Sequence, residues 1–167
     1  MTATFSNEVL RDAFGRHPAG VVFVGAIVDG EACGFAASSF VPVSLDPPLV
    51  SFCVQNTSTT WPRLAPSESL GISVLSEEQK DAIRSLSAKT GDRFVDVTVT
   101  TSANNAVFVD SCGLWLEGVI EQTVKAGDHV IVVVRLTDIT IHSEQTSPVI
   151  FYRSVCRVLA PEIDSDR

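Results

Sequence analysis

The strongest constraint in this chain is a pair of long β-forming segments near its end. Leu114 to Val124 is one, broken at Gly118, and His129 to Ile141 is the other. Both are rich in β-branched residues, whose stiff χ1 suits a pleated surface. Lys125-Ala-Gly-Asp128 turns the chain between them. Two strands of this length that sit side by side must bury a face. They are long enough to curve around a barrel wall.

Shorter segments supply the rest of a β domain. Val21 to Val28 leads into Asp29-Gly30, a hairpin signal, and Ala32 to Phe40 returns beside it. Leu49 to Val54 is a further strand, and Leu70, Ile72 and Val74 alternate with small or polar residues. Val97 to Thr101 and Val107 to Val109 flank an Asn104-Asn105 turn, and Val149 to Tyr152 closes the series. Three short helices are expected. The first is capped by Ser6 inside a Phe5/Leu10 staple, has Val9, Leu10, Ala13 and Phe14 on one face, and ends in a left-handed Gly15. The second runs Ser58 to Leu64 with Pro62 in its first turn. The third follows Ser76-Glu-Glu-Gln79 and buries Ala82, Ile83 and Leu86. About eight strands with so few helices, which do not alternate with them, predict one mainly-β antiparallel domain, closed or sandwiched, over residues 1–160. Residues 161–167 read as a loose polar tail.

Composition narrows the function classes. Of 167 residues 45% are hydrophobic and 19% charged, enough apolar surface for a core. Twelve Lys and Arg against twenty Asp and Glu leave a net charge of −8 with no basic block, which argues against nucleic acid and anionic membrane surfaces. Val130 to Val134 is far too short to span a bilayer, and the N-terminal residues lack the pattern of a signal peptide. The chain is therefore expected in the cytoplasm. Cys33, Cys53, Cys112 and Cys156 are widely spaced and read as reduced, structural residues. His17, His129 and His142 complete no metal-ligand spacing. No phosphate-binding glycine motif of the dinucleotide or P-loop type occurs.

A series of local motifs carries the reading further. Arg16-His-Pro-Ala-Gly20 precedes the first strand. Gly34-Phe-Ala-Ala-Ser-Ser-Phe40, Val43-Ser-Leu-Asp-Pro-Pro-Leu-Val50, Asn56-Thr-Ser-Thr-Thr60, Asp92-Arg-Phe94, Gly127-Asp-His129 and Val149-Ile-Phe-Tyr-Arg153 follow in order. From about Phe14 to Arg157 this order resembles the flavin reductase family, the NAD(P)H:flavin oxidoreductase components of two-component monooxygenases. The resemblance implies a split β-barrel of Greek-key-like, FMN-binding type and a homodimer with flavin near the subunit interface. It further implies FMN or FAD as cofactor, NADH or NADPH as hydride donor, and a partner oxygenase that receives reduced flavin.

The same resemblance assigns residues. Ala36, Ala37, Ser38 and Ser39 would lie along the ribityl chain and phosphate, where small side chains and N–H donors fit a tight space. Ser44 and Asp46, in a segment stiffened by two prolines, would edge the isoalloxazine. Asn56, Ser58 and Thr59 would open a helix toward the phosphate, joined by the cation of Arg93. His129 would lie near the nicotinamide, bonding the carboxamide or supplying a proton, with Tyr152 and Arg153 close by. Each position also has a plain reading: Ser residues capping exposed backbone, a proline loop joining strands, an N-cap at Ser58 or Thr59, a surface arginine, and a structural histidine at a strand start. Phe94, Trp61 and Trp115 are expected to pack. Ala36 stands where the family has Thr, and Ala19 where it has Thr or Ser. The missing hydroxyl at Ala36 favours the alternative of a flavin-binding carrier or electron-transfer module with little reductase activity. A pyridoxine-phosphate oxidase-like enzyme on a related barrel fits the motif order less well.

Overall fold

The computed structural model describes residues 5–88, 90–142 and 146–159, so the expected tail at 161–167 lies outside the described residues. Helix α1 spans Asn7–Gly15, and the Ser6 hydroxyl accepts the Val9 N–H at 3.3 Å. The expected N-cap is in place, but the helix does not end in a left-handed glycine. Its C-cap is Arg16 at an ordinary helical φ of −80°. The cap N–H groups reach the Ala13 and Phe14 carbonyls without a change of hand.

Strands β1 (Ala19–Gly20), β2 (Val22–Val28) and β3 (Glu31–Ala37) come first, with β2 and β3 forming the expected hairpin over Asp29-Gly30. β3 stops at Ala37, short of the expected Phe40. The chain turns a corner and resumes as β4 (Val41–Leu45), which pairs with β5 (Pro48–Gln55). Pro42 is tolerated because β4 is an edge strand, and Pro48 because it starts one. α2 is only Trp61–Leu64; Pro62 sits in its first turn, where no N–H is needed. β6 (Leu70–Val74), a 3₁₀ turn at Glu77–Gln79 and α3 (Ile83–Leu86) follow. β7 (Val99–Thr101) and β8 (Val107–Val109) form a small hairpin. β9 (Leu114–Ala126), β10 (His129–Ile141), β11 (Val149–Tyr152) and β12 (Val155–Val158) complete the chain. None of the described helices is long and apolar enough to cross a membrane.

Seven strands make one antiparallel sheet in the order β3-β2-β6-β9-β10-β5-β4. β9 and β10 are the long pair read from the sequence. Their register slips between Val133 and Val134 and between Leu136 and Asp138, the second slip next to Gly118. Such bulges bend a strand and raise its twist, which curls the sheet into a barrel wall. The sheet does not close: β3 and β4 are its two edges, giving the split barrel. Inside lie Val22, Val24, Phe52, Leu70, Ile72, Leu116, Val132 and Val134. A second cluster of Val21, Phe23, Leu75, Leu86, Val107, Val109 and Val149 fills the space between the outer face of β2 and the elements covering it. β2 thus alternates between two cores, and its first five residues are fully buried.

Phe23 is the pivot of the second cluster. Gly25 and Gly34 are register partners on β2 and β3, and a Cβ on either would collide with the Phe23 ring. The two glycines form a slot that the ring fills, and Phe94 meets its edge with centroids 5.8 Å apart. Phe94 therefore packs, as do Trp61 against Phe52 and Trp115 against Phe108. All four cysteines are free, and burial pushes the Cys112 thiol up to about 12.

Gly34→Ala is expected to displace the Phe23 ring at roughly 1–3 kcal/mol, the usual cost of overpacking a core. For a chain of this size that lowers Tm by on the order of 5 °C, and a thermal melt checks it. An unchanged Tm would mean the slot is not filled as described.

Candidate active site

The corner between β3 and β4, the loop after β5, the segment after α3 and the first residue of β10 enclose a cleft of about 680 Å³. That volume suits a cofactor-sized ligand. Its walls include Phe35, Ala36, Ala37, Ser38 and Ser39 from the corner, and Cys53, Val54 and Gln55 from β5. Thr57, Ser58 and Thr59 come from the loop, Ser87, Thr90 and Arg93 from beyond α3, and His129 from β10.

Arg93 is fixed from behind. One of its guanidinium nitrogens donates to the Gly34 carbonyl at 3.0 Å. The neighbouring Phe94 is held by Phe23, and its N–H by the Asp92 carboxylate at 2.9 Å. Asp92-Arg-Phe94 is therefore one unit, docked on the same glycine that accommodates the Phe23 ring. A guanidinium whose position is set this way presents the rest of its planar fork to an anion with little further loss of side-chain freedom. In a chain of net charge −8 it gives the cleft a local cation.

The small residues divide into two kinds. Ser39 is committed to the fold: its hydroxyl accepts the Cys53 N–H at 2.8 Å and donates to the Cys53 carbonyl at 3.2 Å. β4 pairs with β5 only as far as Ser51, and beyond that point the Ser39 side chain takes the place of a strand. The N-cap position of α2 is Thr60, not the expected Ser58 or Thr59, and carries no side-chain cap bond. Ser58 accepts the N–H of Trp61, the first residue of α2, at 3.1 Å, and its O–H proton has no acceptor among the described residues. The described residues give the Ser38 and Thr59 hydroxyls no partner, and both residues are exposed at the cleft. Ala37 packs toward the barrel interior and Ala36 toward the Phe23 cluster, so the wall here is backbone and methyl groups.

Other expected site residues fall elsewhere. Asn56 is not part of the cleft wall; its amide donates to the Gly127 carbonyl at 3.2 Å. Ser44 lies on β4, and Asp46 is exposed in the β4–β5 turn; neither lines the cleft of its own chain. Tyr152 ends β11. The Arg153 N–H donates to the Gly15 carbonyl at 2.8 Å, and its guanidinium lies 4.0 Å from Asp12. Arg153 is therefore placed beside α1, and neither residue lines the cleft that His129 enters.

His129 does reach the cleft. It is paired in register with Gln55 across β10 and β5. Its Nδ1 lies 2.8 Å from the Asp128 carboxylate. That hydrogen bond, and then the charge of the ring, hold the Asp128 carboxyl below the usual range. In the neutral ring the bond places the proton on Nδ1 and leaves Nε2 as an acceptor. Phe35, Cys53, Val54, Gln55, Thr57, Ser87 and Thr90 also line the cleft and are not among the expected site residues. Gln55 and Cys53 share the face of β5 that meets His129, a period-two signal available once the pairing is known. Ser87 and Thr90 arrive through the packing of α3, and no local pattern marks them.

Ser39→Ala leaves two backbone groups of Cys53 without their partner, and should cost about 1–3 kcal/mol. Ser38→Ala should leave stability unchanged. Chemical denaturation of both variants separates the two serines, and equal stability loss would refute the division.

Residues 14–160 match the family described as flavin reductase like domain. A flavin reductase of Pseudomonas putida is 33% identical over 144 residues, covering 86% of this chain and 84% of that protein. The stachydrine N-demethylase reductase subunit Stc3 of Rhizobium meliloti is 36% identical over 134 residues, 80% of this chain but only 58% of that one. Among solved structures, the NADH:FAD oxidoreductase SgcE6 of Streptomyces globisporus, in complex with NAD and FAD fragments, superposes with a TM-score of 0.87. It is 29% identical, and the match covers 97% of this chain and all of that one. The motif order, the split barrel and the matched span agree: this chain belongs to the flavin reductase family and is a flavin oxidoreductase.

Proposed function

We propose that this protein catalyses NAD(P)H + H⁺ + flavin → NAD(P)⁺ + reduced flavin, with FMN or FAD as the flavin, and hands the reduced flavin to a partner oxygenase. The observation that carries the reading is the cleft that brings Ser38, Ser58, Thr59 and Arg93 together with His129. Bound in the cleft, the flavin would supply the redox chemistry, as acceptor at N5 of the hydride from nicotinamide C4. The chain's own residues bind and orient. Ala36 and Ala37 keep the wall low beside the ribityl chain. The free hydroxyls of Ser38 and Thr59, the O–H of Ser58 and the fork of Arg93 take the phosphate. His129 offers Nε2 to the nicotinamide carboxamide. Holding two flat rings in a near-attack geometry removes much of the entropic barrier without an acid–base pair. Supply to an oxygenase rests on relatives named as reductase subunits, among them the Rhizobium one.

A homodimer belongs to the same proposal. β4 is an edge strand on which Val41 is 50%, Val43 52% and Leu45 96% exposed. An exposed apolar edge is a template for pairing unless it is covered. Ser44, Asp46, Tyr152 and Arg153 do not line the cleft of their own chain, and a second copy that brought them to its cleft would account for their place in the motif order. Light scattering should give twice the chain mass. A monomer that retains activity would overturn this part.

Steady-state oxidation of NADH and NADPH with FMN, FAD and riboflavin tests the reaction. Flavin binding without turnover would establish the carrier reading instead. His129→Ala should raise KM for NAD(P)H and slow flavin reduction, together by roughly tenfold, as expected for one hydrogen bond plus some misplacement. Flavin affinity should stay unchanged. Stopped-flow reduction beside a thermal melt reads the effect, and wild-type rates in a destabilised variant would remove His129 from the site.

A further inference from the structure

His129 is the first residue of β10, so its place in the cleft is set by the turn before it. That turn carries Gly127 at a φ of +63°, a left-handed conformation that glycine adopts without strain. It is fastened to the end of β5 by a residue 71 positions earlier. The Asn56 backbone N–H donates to the Asp128 carbonyl at 2.9 Å, and the Asn56 side-chain amide donates to the Gly127 carbonyl at 3.2 Å. Asp128 in turn holds His129 through Nδ1 at 2.8 Å. Three hydrogen bonds thus run from Asn56 through the turn to the imidazole.

We infer that Asn56 is a positioning residue for His129: by clamping the Gly127-Asp128 turn it sets where the imidazole stands in the cleft. The chemistry of the position is specific. A short side chain with an N–H donor must reach one carbonyl while its own backbone N–H is committed to the next. Aspartate has the same shape but presents an oxygen to the Gly127 carbonyl and repels it. Alanine keeps the backbone bond and loses the other. Register adds a second constraint, because Gln55, the residue before Asn56, is the cross-strand partner of His129. The inference rests on the reading that His129 contacts the nicotinamide.

The test uses the full chain with saturating flavin and the variants Asn56→Ala, Asn56→Asp, His129→Ala and the Asn56→Ala/His129→Ala pair. Asn56→Ala should raise KM for NAD(P)H about threefold, Asn56→Asp more, with flavin affinity by fluorescence quenching unchanged. In the His129→Ala background the Asn56→Ala effect should vanish, as it does for residues acting through one another. The ¹⁵N resonances of the His129 ring should shift in both single Asn56 variants. A loss of flavin affinity with unchanged KM would make Asn56 a cofactor ligand and overturn the inference, as would an Asn56→Ala effect undiminished in the absence of His129. If His129→Ala itself leaves KM unchanged, the nicotinamide reading fails. The ring resonances then decide alone: unmoved in the Asn56 variants they sink the clamp, and shifted they uphold it.

Discussion

The site depends on one packing event, the entry of the Phe23 ring into the slot left by Gly25 and Gly34. β2 and β3 approach there without side chains between them, so the ring crosses their outer face and seats Phe94. Phe94 carries Arg93 with it, and Arg93 finds the Gly34 carbonyl. A hydrophobic contact on the face of a hairpin thereby fixes a cation at the backbone of its edge strand. Interiors packed to crystal-like density transmit placement in this way because no void absorbs a shift.

The open seam of the barrel is the second constraint. A sheet that does not close has two edges, and backbone groups at an edge must find partners or water. Near the cleft the partner found at Cys53 is a side chain and not a neighbouring strand. The Ser39 hydroxyl serves as both donor and acceptor and joins the β3–β4 corner to β5. The cleft exists because β4 stops pairing at Ser51 and leaves room beyond it. The binding space and the structural weakness are the same place, and a side chain in place of a strand reconciles them.

Much of this was legible in the sequence, and what was not shares a cause. The β9–β10 hairpin, the Asp29-Gly30 turn, the Ser6 cap and the packing of Trp61 and Trp115 follow from local periodicity and turn chemistry. The motif order placed Ala36 to Ser39, Ser58, Thr59, Arg93 and His129 around one cleft, and the fold brings those residues together. Asn56 belongs to the motif expected at the phosphate, and its amide bonds the Gly127 turn. Ser44, Asp46, Tyr152 and Arg153 carry motif weight but stand outside the cleft of a single chain. Ser39 lines the cleft yet spends its hydroxyl on Cys53. What a short polar residue bonds depends on which backbone group the tertiary fold leaves unpaired beside it, and no local pattern encodes that.

Counting donors and acceptors sorts the polar residues where residue type does not. A serine hydroxyl has one proton to give and two lone pairs. Ser39 gives its proton to one Cys53 group and takes the proton of another. Only a lone pair remains, which is useless toward a phosphate oxygen. Ser58 has accepted the Trp61 N–H and still holds its own proton. That bond therefore orients the hydroxyl without using up the donor, so a bond to the backbone and anion binding are compatible at Ser58 and exclude each other at Ser39. Arg93 obeys the same count: one N–H goes to Gly34, and the guanidinium retains four more. Ser58 and Arg93 are thus held in direction by a first hydrogen bond and still have a proton to spend, while the Ser38 and Thr59 hydroxyls, with no partner among the described residues, keep theirs without being held.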